Sequence, residues 1–343
     1  MGNHPFNVIV ILFWLATMGW LLVAKILPPL RVGEPPNYAS ILKQSGDEPP
    51  ACWTIRMRGN TIGWAANKIV RRDDGISELS SRVYLGELPL DELAPSWLVK
   101  VLKPVFSDIK RMDLDKRSRL AVDPLGRLVE FESRVRLADD ADAIKVQGKI
   151  EGSTIHLTVQ SGEITATLSR SLSPNALVSD ELSPQVRMPG LRVGQTWTVP
   201  LYSPFRAAAS PLEILQAVVE REDRVHWDGR TVNARVIVYR GDSGSGLAGG
   251  ETRGKMWVRE DGVVLRQEVA VFKSPLQFQR LPDSEAKPIW AILGDDWTKA
   301  IDRDLARRLL ERLQGGTVKP DDSVEPEDAA ERHDAAVLPQ LVP

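Results

Sequence analysis

A single cysteine, Cys52, stands in 343 residues, so no internal disulfide can form. Only four histidines occur, His4, His156, His226 and His333. Scattered as they are, they cannot join that lone thiol in a zinc cluster of ordinary spacing, and neither a metal nor a cofactor is expected. A surplus of one charge sign is also missing, since 44 Lys and Arg face 46 Asp and Glu for a net charge of -2. A chain that neutralises a phosphate backbone needs a basic surplus, so nucleic acid is not expected as a partner. Nor is this the composition of a disordered chain, because 43% of residues are apolar and 26% charged.

What is present begins with one long apolar run. Val8 to Ala24 carries no charge, and Lys25, Ile26 and Leu27 follow before Pro28 and Pro29 stop any helix. At 1.5 Å per residue, such a helix over Val8 to Leu27 reaches about 30 Å, the thickness of a bilayer core. The run has no polar stripe, no basic segment before it and no small-residue cleavage site after it, so residues 1–28 read as an uncleaved single-pass anchor in the membrane bilayer. The first basic residues, Lys25, Arg31 and Lys43, all follow the run, which by charge alone puts the rest of the chain in the cytoplasm. Residues 29–51, with Pro35, Pro36, Pro49 and Pro50, have the composition of an extended linker.

Beyond the linker the period becomes two. Trp53, Ile55 and Met57 alternate with Thr54, Arg56 and Arg58, and a Gly59-Asn60 turn leads into Thr61 to Val70. Ile76 to Leu85 supplies a third strand. Arg127 to Leu168 is the clearest stretch, with Val129, Phe131, Val135 and Leu137 opposing Glu130, Glu132, Arg134 and Arg136, and turns at Gly152-Ser153 and Ser161-Gly162. One apolar and one wet face make this an antiparallel meander. A second β block starts near Pro189, with turns at Asp228-Gly229 and Asp261-Gly262. The tryptophans Trp53, Trp64, Trp197, Trp227 and Trp257 fall in or beside these strands, where large aromatics fill a core. The fold class is therefore mainly β over residues 52–282: a curved antiparallel sheet or half-open barrel with covering helices.

Two helical pieces accompany the sheet. In the insert near residues 89–103, Trp97, Leu98, Val101 and Leu102 share one face, and they are the candidate lining of an apolar groove. In residues 283–314, Trp290, Leu293, Trp297, Ile301, Leu305 and Leu309 recur at spacings of three and four, predicting one amphipathic helix with Trp290 and Trp297 as its interaction residues. Residues 315–343 read as a disordered acidic tail.

Several strings look like chemistry without its requirements. GGETRGKM (Gly249 to Met256) has phosphate-loop spacing, but Met256 stands where Ser or Thr would hold magnesium, and a strand pattern follows instead of a helix. GDSGSG (Gly241 to Gly246) contains serines with no positioned base. Asp139, Asp140 and Asp142 lack the alternation and turn glycine of a calcium loop. No catalytic residues are assigned, and the chain reads as non-catalytic.

PGLRVGQTW (Pro189 to Trp197), WDGRTVNARVIVYR (Trp227 to Arg240) and GKMWVREDGVVLRQEV (Gly254 to Val269) resemble the C-terminal half of an uncharacterised bacterial envelope family of unknown function. PPLRVGEPPNY (Pro28 to Tyr38) after the apolar run is similar to uncharacterised single-pass proteins of bacteria. The resemblance covers Trp53 to Leu281. It implies a fold like that of the periplasmic lipoprotein carriers, a curved sheet with helices on its concave side, and so a domain outside the cytoplasm. It supplies no catalytic residues. Two functions follow as expectations: a membrane-anchored envelope module binding a lipid-like or apolar ligand in the concave sheet, or a scaffold for an envelope protein partner with no small ligand.

Overall fold

The computed structural model describes residues 4–22, 36–45, 49–89, 111–137, 140–171, 178–180, 182–202, 212–241, 251–270, 274–294 and 301–315. Among them one sheet of fifteen strands dominates. Its first half is β1 (Ala51–Met57), β2 (Asn60–Arg71), β3 (Ser77–Pro89), β4 (Arg111–Val122), β5 (Leu128–Leu137), β6 (Asp140–Glu151), β7 (Thr154–Ser161) and β8 (Ile164–Ser171). The second half is β9 (Ser179–Asp180), β10 (Thr196–Tyr202), β11 (Leu212–Trp227), β12 (Arg230–Gly241), β13 (Thr252–Arg259), β14 (Val264–Val269) and β15 (Leu276–Arg280).

Each half is a meander, and the halves are joined where the first strand meets the last. β1 pairs antiparallel with β15, Trp53 opposite Arg280 and Ile55 opposite Phe278. The sheet therefore runs outward from β1 to β8 on one side and from β15 to β9 on the other, and it is not closed. Every neighbouring pair is antiparallel except the short contact of β9 with β10. The first hairpin turns at Arg58-Gly59, both with positive φ, one residue earlier than the Gly59-Asn60 turn the sequence suggests.

Inward side chains from strands of both halves, including Trp53, Val83, Phe131, Ile155, Trp197, Ile237, Val264 and Phe278, form one buried cluster, so the sheet rolls around a shared interior. β4 is a strand that the sequence reading leaves out. Its inward positions Met112, Leu114 and Val122 are buried and apolar, but Lys116 and Ser118 interrupt them, and Asp115 on the other face is buried as well. The alternation at even positions is a signal that could have found it.

Two expectations about the helices are corrected. Residues 29–51 are not simply an extended spacer, because α2 (Tyr38–Ser45) lies within them and buries Tyr38, Ile41 and Leu42 in the interior. Asn37 caps α2, its Oδ1 accepting the Ser40 N–H at 2.9 Å while its own N–H donates to Ser40 Oγ. The single amphipathic helix expected over 283–314 is instead two, α3 (Asp283–Leu293) and α4 (Arg303–Gly315), with Gly294 at positive φ ending the first. These two pack on the convex face over β1 to β3, not in the concavity.

The expected transmembrane span finds no support among the described residues. α1 (His4–Leu21) starts before the expected span, residues 23–27 of that span lie outside the described residues, and among the described residues no helix is long and apolar enough to cross a membrane. Every described side chain of α1 from Val10 to Leu21 is exposed.

Candidate functional site

The concave interior was the expected site, and its geometry begins with the chain segment that joins the two halves. Beyond β8, the described residues 182–191 run through the interior. Val178, Leu182, Met188 and Leu191 are buried in the central cluster. A crossing segment brings backbone and hydroxyl groups with it, and buried polar groups must be paired. The strands supply those partners. Asn67 Nδ2 donates to Pro184 O at 3.1 Å while Asn67 Oδ1 accepts the Trp53 indole N–H at 3.0 Å. Lys116 Nζ donates to Ser183 Oγ at 2.8 Å, and Ser118 Oγ lies 3.0 Å from Ser183 Oγ. From the other half, Gln267 Oε1 accepts the Gln185 N–H at 3.0 Å, and Val186 O accepts the Val264 N–H.

Buried Asn67, Lys116, Ser118 and Gln267 thus form the seat of an internal strap. α2 closes the same interior, with Tyr38 Oη donating to Val178 O at 2.8 Å. Burial pushes the Tyr38 phenol well above its ordinary range.

Against strands β10 to β14 lies an apolar pocket of about 40 Å³, lined by Val199, Leu215, Tyr239, Met256 and Val269 among others. That volume suits a few water-sized groups. A second hollow of about 390 Å³ lies against the sheet, where Arg119, Glu130, Glu132, Gln147, Lys149 and His156 surround Gly148. Beside it His156 Nδ1 lies 2.9 Å from Ser169 Oγ, and His156 Nε2 lies 3.9 Å from Glu151. Ser169 and His156 face each other because β7 and β8 are in register there. Half of the His156 side chain is exposed, so water screens its pairing with Glu151 and nothing desolvates a nucleophile.

The convex face carries a second buried cluster, where Cys52, Trp64, Ala66 and Tyr84 meet Ala286, Ile289, Ala306, Leu309 and Leu310. Trp64 Nε1 donates to Ala306 O at 3.1 Å, and Asp113 receives both Tyr84 Oη at 3.0 Å and Arg307 at 3.1 Å. Deeper, Asp115 pairs with Arg82 at 2.9 Å and Arg136 at 3.2 Å, and Arg136 also donates to Ile301 O. This network holds α4 to the sheet. Burial pushes the Cys52 thiol up to about 12, more than the Trp290 side chain and the Arg280 charge bring it down.

The predicted groove residues Trp97, Leu98, Val101 and Leu102 lie outside the described residues, as do Trp297 and residues 316–343 of the expected tail. Trp290 is half-buried in α3 against the convex cluster. Thr252 to Met256 of the phosphate-loop-like string lie in β13, a strand, as the pattern suggests. Among the described residues no group of His, Cys, Asp and Glu could hold a metal ion.

No protein-family description matches the sequence, and no curated protein does. Among solved structures, the chain is similar to a β-barrel-like protein of a domain of unknown function, DUF1849, from Brucella abortus, at 11% identity over 68% of this chain and 94% of that one, with a TM-score of 0.41. It is also similar to a DUF1089 family protein from Pseudomonas aeruginosa, at 15% identity over 61% and 90% of the two chains, with a TM-score of 0.33. Neither is described as a lipoprotein carrier or as a membrane protein.

Proposed function

We propose that this protein is a non-catalytic β-domain that works by binding, held at a membrane by α1 and acting as a scaffold or accessory subunit. The observation that carries the reading is α1 itself. Leu12, Phe13, Trp14 and Trp20 are 56 to 69% exposed, and from Val10 to Leu21 the helix has no buried side chain. Apolar surface on every side of a helix is costly in water and calls for an apolar environment. An interior seated on its own strap and on α2 supports the scaffold reading over a carrier of long acyl chains.

The test is flotation of the full chain with liposomes of phosphatidylcholine and phosphatidylglycerol. Wild type floats with the vesicles, and a Leu12→Lys/Leu15→Lys variant stays at the bottom of the gradient. A wild-type protein that remains at the bottom overturns the membrane role. The second reading, a small apolar ligand, is favoured by the pocket beside Val199, Met256 and Val269. Native mass spectrometry of the purified chain would then show a bound small molecule, lost in Val199→Trp.

A further inference from the structure

We infer that the pocket against β10 to β14 is a binding site for a small uncharged molecule, and that Tyr239 and Gln267 hold the carbonyl oxygen of that molecule. The inference rests on the second reading above and adds the chemistry of the occupant. The pocket walls are apolar, with Val199, Leu215, Met256 and Val269 all buried. Two polar side chains interrupt them. Tyr239 lines the pocket, and its hydroxyl has no hydrogen-bond partner among the described residues. Burial raises its pKa, so at neutral pH the phenol keeps its proton and is a donor. Gln267 also lines the pocket and is only 7% exposed. Its Oε1 accepts the Gln185 N–H, which fixes the orientation of the amide and leaves Nε2 with its donor hydrogens and no acceptor among the described residues.

Strand register sets these groups around one space. Tyr239 faces Gly254 and Gln267 faces Met256, so β13 alone separates their strands, and Gly254 brings no side chain between them. Buried donors without acceptors are costly and few in native proteins. A carbonyl oxygen has two lone pairs and answers both donors, while the carbons attached to it meet the apolar walls. Water offers the oxygen without the apolar contact.

Charge separates a neutral carbonyl from a carboxylate. Arg253 is the one cation among the described lining residues, and Glu213 at 3.5 Å and Glu251 at 3.7 Å already match it. A volume of about 40 Å³ admits about three water-sized groups, so the occupant is a short ketone, ester or amide, or the end of a longer molecule that carries one.

The test uses the full chain in detergent micelles with isotope-labelled methionine methyl groups, and follows the Met256 resonance during titration. The probes are acetone and isobutene, which has a methylene where acetone has its oxygen. Both shift the resonance of wild type saturably, and neither does so in Val199→Trp. Tyr239→Phe removes a hydroxyl that is bonded to nothing in the protein, so it melts no lower than wild type. Its ratio of acetone to isobutene affinity falls about five- to tenfold, the share of one hydrogen bond. The ratio cancels the different hydration of the two probes. A wild type that takes isobutene but not acetone, or a ratio unchanged in Tyr239→Phe, overturns the carbonyl assignment and leaves the apolar pocket standing. Absence of a saturable shift with either probe overturns both. Should Tyr239→Phe lose its fold, Gln267→Glu decides through the same ratio, because it keeps an oxygen for the Gln185 N–H and removes the amide donors.

Discussion

At the scale of single residues, the interior depends on polar groups placed where an ordinary core has none. Asn67 serves Trp53 and Pro184 at once, and Lys116 reaches Ser183 while only 1% exposed. These side chains are buried because the strap they hold is buried. The same burial acts on four weak acids. Cys52, with its thiol pushed up to about 12, and the phenols of Tyr38, Tyr84 and Tyr239 are all raised by desolvation, Tyr84 also by the Asp113 carboxylate. A group whose pKa is raised on folding supports the native state fully below its unfolded pKa, here 9.0 for the thiol and 10.0 for the phenols. That support is lost as pH rises through the folded values. Stability is therefore expected to fall steadily above about pH 9, seen as a urea midpoint dropping between neutral pH and pH 11. Under the same logic Cys52 resists alkylation at pH 8 until the protein unfolds.

At the scale of elements, α2 is the piece whose position tells most about the interior. It contacts the β4–β5 turn so closely that a Cβ added at Gly126 would lie 2.4 Å from Ala39 Cβ, and Gly126 has a φ of +78°. Gly126→Val should force α2 off its seat, unsealing the interior. The expected result is a loss of about 2 to 4 kcal/mol, from the strained φ and the uncovered side chains together, with new binding of a hydrophobic dye and an unchanged far-ultraviolet spectrum. Unaltered dye binding would mean that α2 covers nothing of consequence. The β5–β8 meander could be read from the chain because each strand has one dry and one wet face and each turn is local. β4 could not be read as easily, since Lys116 and Asp115 look like surface residues until the strap and Arg82 are in place beside them.

At the scale of the whole molecule, the pairing of β1 with β15 makes the two meanders one sheet. Thr54 Oγ1 donates to the carbonyl of Gln279, 225 positions away. The strap then ties β2 and β4 of one half to β14 of the other through Asn67, Lys116 and Gln267. Neither half can bury its inward face without the other. One cooperative unfolding transition is expected, with tryptophan fluorescence and far-ultraviolet signals coinciding. Two separated transitions would show that the halves are independent units. The many distant pairings also predict slow refolding, because loop closure is costly before those contacts form.

The sequence by itself determined the β class, most hairpins, the apolar N-terminal run and the absence of a recognisable catalytic motif. All of these follow from periodicity, turn residues and composition within short windows. The tertiary structure alone decided that α3 and α4 cover the convex face, that residues inside an apparent linker form a plug, and that the chain fills its own concavity. Each of those outcomes depends on which distant surfaces meet. Ala51 to Ile55 illustrate the difference: alternation promised one buried face, but the strand is buried on both, with the strap-filled interior on one side and the C-terminal helices on the other. Hydrophobic period reports that a face wants cover, and it carries no information about what arrives to cover it.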